Sequence, residues 1–162
     1  MSDPSPQAQL DGFLTRYTPD IAAQTVEALR RLRAQVPGAV EMVYDNYNAL
    51  VIGFGATERA SEAVLSIAVM PRWVDLCFIH DAASLPDPEG LLQGSGKVAR
   101  HVVLHDPADL EKPAIRALIG HAVAGSPRPF DTAAPGRMVI KSISAKQRPR
   151  RPEDRPPGKH RG

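Results

Sequence analysis

Residues 39–79 read AVEMVYDNYNALVIGFGATERASEAVLSIAVMPRWVDLCFI. Within them, segments 39–44, 49–54, 63–70 and 73–79 are short and rich in Val, Ile and aromatic residues. Turn formers separate them: Asp45-Asn46, Gly55 and Pro71-Arg72. Parallel neighbours need a crossover of a dozen or more residues, and these links are too short for one, so the stretch predicts an antiparallel meander. In the third segment Leu65, Ile67 and Val69 alternate with Val64, Ser66 and Ala68. One face is therefore apolar and the other only mildly polar.

Upstream the period changes. Ser5-Pro6 supplies a cap and a first helical residue, and Leu10, Phe13, Leu14 and Tyr17 follow on one helical face. Thr18-Pro19 repeats that start, and Ala22, Val26, Leu29, Leu32 and Val36 form a stripe that ends at Pro37-Gly38. Arg30, Arg31 and Arg33 fall in its last turns, where cations suit the helix dipole.

Downstream, residues 81–96 read as a loop through Pro86, Pro88, Gly90, Gly94 and Gly96, with room for one helical turn at 89–93. Residues 100–105 predict a fifth strand. Asp106-Pro107 caps a turn, and 113–124 predict a helix with Ile115, Leu118, Ile119 and Ala122 inward and Gly125 at its end. Residues 137–144 predict a last strand. The expected fold is α+β, an antiparallel sheet of five to six strands with two main helices on one face.

The chain of 162 residues suits one domain, expected over residues 1–145. Residues 146–162 hold seven basic and two acidic residues, a formal +5, so the rest of the chain carries −3 of the total of +2. That segment interleaves Pro149, Pro152, Pro156 and Pro157 with charge and has no large apolar residue, so it predicts a disordered basic tail. The lone Cys77 excludes an internal disulfide and reads as a buried thiol in an apolar run. Met1 to Gln9 lack the pattern of a signal peptide, and no run approaches the ~20 apolar residues of a membrane span. A cytoplasmic protein with no membrane partner is expected.

Two further stretches carry a resemblance. Pro88-Glu89-Gly90-Leu91-Leu92-Gln93-Gly94-Ser95-Gly96-Lys97 with Arg100-His101, and the helix Pro113-Ala114-Ile115-Arg116-Ala117-Leu118-Ile119, resemble the YdhG-like family of bacterial domains of unknown function. The resemblance covers roughly residues 10 to 125. It implies a frataxin-like architecture, and some members are regarded as iron chaperones. Many members have a Gly-Met-Pro turn where this chain has Tyr44-Asp45-Asn46-Tyr47-Asn48. Iron delivery in such proteins is associated with an acidic ridge on the first helix and strand, where this chain offers Asp11, Asp20, Glu27 and Glu41 among Arg16, Arg30, Arg31 and Arg33. A carboxylate iron site needs several converging oxygens.

Gly94-Ser95-Gly96-Lys97 has the glycine and lysine of a phosphate loop but departs from the full pattern. Leu91 stands where the first glycine belongs and Val98 where Ser or Thr should follow. That pattern does not support nucleotide hydrolysis, while a weaker anion contact through Lys97 and Arg100, or a plain tight turn, stays open. His101 and His105 would share a strand face about 7 Å apart, with His80-Asp81 nearby, but no metal site is assigned from this spacing. Ser66, Ser84, Ser95 and Ser126 lack a nucleophile context.

The sequence thus predicts a noncatalytic binding module without a cofactor. Lys97, Arg100 and His101, with Trp73 and Tyr44 as walls, are the expected contacts for a small anionic ligand or a partner protein. Iron delivery, or nucleic-acid contact through the basic tail, stands as the alternative. The oligomeric state is left open.

Overall fold

The structure is a computed structural model that describes residues 3–152. Helix α1 (Pro6–Leu14) starts where the Ser5 hydroxyl accepts the Ala8 N–H at 3.1 Å, and α2 (Pro19–Gln35) where the Thr18 hydroxyl accepts the Ile21 N–H at 3.4 Å. Both caps are followed by proline, whose missing N–H costs nothing there. The strands are β1 (Val40–Asp45), β2 (Leu50–Gly55), β3 (Ala63–Val69), β4 (Val74–Phe78), β5 (Arg100–Leu104) and β6 (Arg137–Ile143), with α3 (Pro113–Ala124) between the last two.

The strands form one sheet in the order β5-β4-β3-β2-β1-β6. From β1 to β5 every neighbour is antiparallel, as the short links between β1 and β4 require for the first three pairs. Strand β6 corrects the expectation of a purely antiparallel sheet: it pairs with β1 in parallel, Val40 opposite Arg137 and Val43 opposite Ile140. The reason lies in the connections. Strand β1 follows α2 after four residues and β6 follows α3 after twelve, and the two connections lie backbone to backbone at the same end of the sheet. Gly38 has φ +81°, and a Cβ there would sit 1.9 Å from the Asp131 carbonyl oxygen. Gly136, at φ +76°, would meet the Ala39 oxygen at 3.0 Å. Only glycine fits such an approach.

One face of the sheet is dry. Val43, Ile52, Ile67, Leu76 and Val102 share a row across five strands, and they pack with Leu29 and Leu32 of α2 and Ile115 and Leu118 of α3. Both helices contact β3 and each other, so they cover the same side. Each fully buried aliphatic side chain contributes roughly 1.5–3 kcal/mol, which makes this layer the dominant stabilising term. No helix among the described residues is long and apolar enough to cross a membrane.

Tyr17 and Glu41, both buried at this layer, have partners. The Tyr17 hydroxyl donates to the Val69 carbonyl at 2.8 Å and accepts the Leu50 N–H at 3.1 Å. Glu41 takes both arms of the Arg33 guanidinium at 2.7 and 2.8 Å.

The expected boundary at residue 145 also needs correction. Residues 146–152 pack on the body, because one arginine finds one buried carboxylate: Arg150 bonds Asp45 at 2.9 Å and lies over the Tyr17 ring, 5.8 Å from its centroid. The same guanidinium donates to the Asn46 carbonyl at 2.6 Å, the Gln147 amide donates to the Asp45 carbonyl at 3.0 Å, and Arg16 donates to the Gln147 side chain. Composition argued against packing here, but it weighs apolar burial and overlooks a charge pair. The rest of the expected tail, 153–162, lies outside the described residues.

Candidate functional site

The connection from β4 to β5 borders a recess of about 510 Å³. It opens at Asp81, whose φ of +47° is the left-handed turn that short polar side chains tolerate. Its two arms are joined where Ala82 and Ala83 donate N–H groups to the carbonyls of Val98 and Lys97 at 3.1 and 3.0 Å. At its tip, between two prolines, Asp87 accepts the Leu91 N–H at 2.8 Å and the Leu92 N–H at 2.9 Å. Residues 89–93 therefore form no helical turn; a carboxylate-organised turn replaces it. Gln93 then meets His101 of β5 in a single antiparallel bridge.

Beyond β5 a capped 3-10 turn, Pro107–Glu111, leads into α3. Asp106 accepts the Ala108 N–H at 2.8 Å, and Asp109 reaches back to the His105 N–H at 3.0 Å. Burial works against charge on Asp109, but the Lys112 ammonium and the N–H groups of His105 and Asp106 outweigh it and hold that carboxyl below its ordinary range. The turn is thus charged and fixed at working pH.

Between this turn, β5, the loop and α3 lies a cavity of about 510 Å³. Leu91, Val102, Val103, Pro113, Ala114 and Ile115 give it apolar walls, and Glu89, Gln93, His105, Asp109 and Lys112 line it with polar groups. A second recess of about 340 Å³ shares Glu89, Pro113 and Ala114 with it, and a third of about 230 Å³ shares Pro86 and His121 with the second. Together they form a groove along α3, closed on its other side by the proline-bearing loop.

The five residues expected from sequence do not form one site. Arg100 and His101 are adjacent on β5 and so point to opposite sides of the sheet. Arg100 stands in register with the core residue Phe78, and its guanidinium folds back to donate to the Gly96 carbonyl at 2.9 Å, beside the exposed Lys97. His101 is opposite Cys77, on the uncovered face. Trp73 and Tyr44 share that face but not that place. Tyr44 lies on β1, four strands from β5 and hence about 19 Å away at ~4.8 Å per strand.

The uncovered face has a polar group of its own. The Trp73 indole N–H donates to Asp75 at 3.1 Å, while the other Asp75 oxygen is buried without a partner. Burial pushes the Asp75 carboxyl up, against the pull of the Trp73 bond and of His101. Burial also pushes the Cys77 thiol up to about 11, against a hydrogen bond from Ser66, so it is protonated and unreactive at neutral pH.

The other candidates are occupied. Glu27 is clasped by Arg30 and Arg31, whose hydrogen bonds hold its carboxyl down at about 2, and Glu41 by Arg33. Among the described residues no three His, Cys, Asp or Glu side chains are grouped to hold a metal ion. Arg150, the most buried of the described residues of the basic segment, is unavailable to a phosphate backbone.

No family model, curated protein or solved structure matches this chain. The groove is thus read from its geometry alone. Sequence reasoning missed Asp87, Leu91, Gln93, Val103 and Ala114 as lining or organising residues. The Pro86-Asp87-Pro88 motif was the available signal, since Asp between prolines marks a side-chain-stabilised turn. Nothing local announced that the turn would stand off from β5.

Proposed function

We propose that this chain is a binding module whose ligand enters the groove between β5, the Pro86–Gln93 side of the loop, and α3. The observation that carries this reading is the cavity of about 510 Å³ with its apolar walls and polar rim. Recesses of roughly 300–1,000 Å³ with a few convergent polar groups are the usual form of small-molecule sites. The ligand has an apolar body, worth about 0.8 kcal/mol per buried methylene, and a polar end held near His105 and Lys112.

The YdhG-like, frataxin-like assignment belongs to the same proposal. It is supported by the order of elements and by the Gly-rich run 88–97, which supplies one wall of the groove. Binding of this kind leaves the Arg30, Arg31 and Arg33 ion pairs in place, whereas iron delivery would have to break them.

Octanoate is a suitable probe. Titrating it into labelled protein is expected to shift the amide resonances of Leu91, Val102, Val103 and Ala114. Ala114→Phe, which fills the groove from the half-buried first turn of α3, is expected to weaken binding by about tenfold or more, roughly 1.4 kcal/mol. Shifts confined to Tyr44, Trp73 and His101, or none at about 1 mM ligand, where binding is worth only about 4 kcal/mol, would reject the groove.

A further inference from the structure

Pairing on the outer side of β5 starts and then stops. Gln93 and His101 exchange both main-chain hydrogen bonds, at 2.8 and 3.1 Å. In an antiparallel ladder the next pair to do so would be Leu91 with Val103. That pair does not form, because the Asp87 carboxylate has taken the N–H groups of Leu91 and Leu92 and turned the chain away. The gap left behind is the cavity that Leu91 and Val103 both line. Since His101 directs its main-chain groups outward, Val103 does the same, and no described residue bonds to them.

We infer that the groove takes an extended peptide segment of a partner protein, which adds to β5 as a further strand through the main chain of Val103. This rests on the groove being the binding site. Chemical complement selects this occupant. A donor and an acceptor side by side on one residue are both satisfied by another extended main chain, whereas a carboxylate satisfies only the donor and an alkyl chain neither. The apolar walls at Leu91, Val102 and Ile115 then receive a side chain of the incoming strand.

The two borders of the sheet also differ in protection. On β6, Arg137 is paired with Glu58 and Lys141 donates to the Glu58 carbonyl, charges of the kind that keep an edge from recruiting strands. From His101 to Leu104, β5 carries no Lys, Arg, Asp or Glu. The loop and α3 flank this border, so a single strand fits where the sheet of a second copy would collide with them.

Selection of the full chain against a displayed library of random octapeptides tests the inference. Enriched peptides are expected to shift the Val103 amide and to lose at least about tenfold in affinity when the facing residue is N-methylated, the cost of one lost hydrogen bond. Val103→Pro removes the outward N–H while keeping an edge-compatible residue. It is expected to lose peptide binding to the same degree, while octanoate binding is read separately on the unaltered chain. The N-methylated peptides repeat the test on the unaltered chain should that variant fail to fold. Octanoate binding without peptide enrichment, or peptides indifferent to N-methylation, would overturn strand addition and leave the groove standing. Failure of the unaltered chain to bind octanoate as well would remove both. A dimer abolished by Val103→Pro would make a second copy the occupant and overturn the partner-peptide reading.

Discussion

The guanidinium of Arg150 and the carboxylate of Asp45 meet at 2.9 Å, each side chain only 2% exposed, and join the end of the described chain to the turn between β1 and β2. Arg16 adds a second, longer contact to the same carboxylate at 3.8 Å. A buried pair of this kind is weak evidence of net stabilisation, because both charges lose their water. Removing one partner is another matter.

Arg150→Ala is accordingly expected to destabilise the fold by about 3–5 kcal/mol, measured by urea unfolding, because Asp45 is left charged and buried. Pairing it with Asp45→Asn is expected to recover much of the loss. Truncation after Ala145 should behave like the single variant. A truncated chain as stable as the full one would show that the clasp is dispensable.

Tyr17→Phe is expected to cost about 1–3 kcal/mol, since the Val69 carbonyl and the Leu50 N–H both lose a buried partner while the ring still packs. Amide exchange should quicken at Leu50 before it does at the centre of β3. Equal protection at both places would contradict this.

Asp75 carries a pH signature. Its folded-state carboxyl is raised, so the folded chain holds a proton that the unfolded chain has already released, and stability falls as pH rises from the unfolded value through the folded one. Asp75→Asn removes that penalty. Thermal melts are expected to show the variant more stable than the parent at pH 7, with the difference shrinking toward pH 3. A difference that does not change with pH would dissociate Asp75 from burial.

Gly38→Ala is expected to cost more than about 2 kcal/mol, combining the left-handed backbone with a Cβ 1.9 Å from the Asp131 oxygen. Gly120→Ala, in the open on α3, is expected to gain up to about 1 kcal/mol instead. Comparing the two melts separates close approach from helix propensity.

Much of the architecture was legible. The helix expected at 113–124 is α3 residue for residue, and each expected strand lies within one residue of the one found, because period and punctuation are local properties. The direction of β6 was not legible, since Met138, Val139 and Ile140 alternate in the same way whether a strand runs up or down. Arg150 defeated a compositional argument, because its partner lies 105 residues away in sequence. The site fared worst for a reason that was available. Arg100 and His101 are neighbours in a strand, and the two-residue period already assigns them to opposite faces.

The crossover has a kinetic consequence. The chain leaves β5 at one border of the sheet and, through α3, reaches β6 at the other, so the pairing of β6 with β1 joins residues far apart in sequence, Val40 with Arg137. The Arg150 clasp follows later still, across more than a hundred residues of separation. Closure of such distant contacts is slow, and it comes last in a chain emerging from its N-terminal end. A chain whose β6 has yet to emerge is expected to present the β1 border without a strand beside it, and so to offer two unguarded sides of the sheet in place of one.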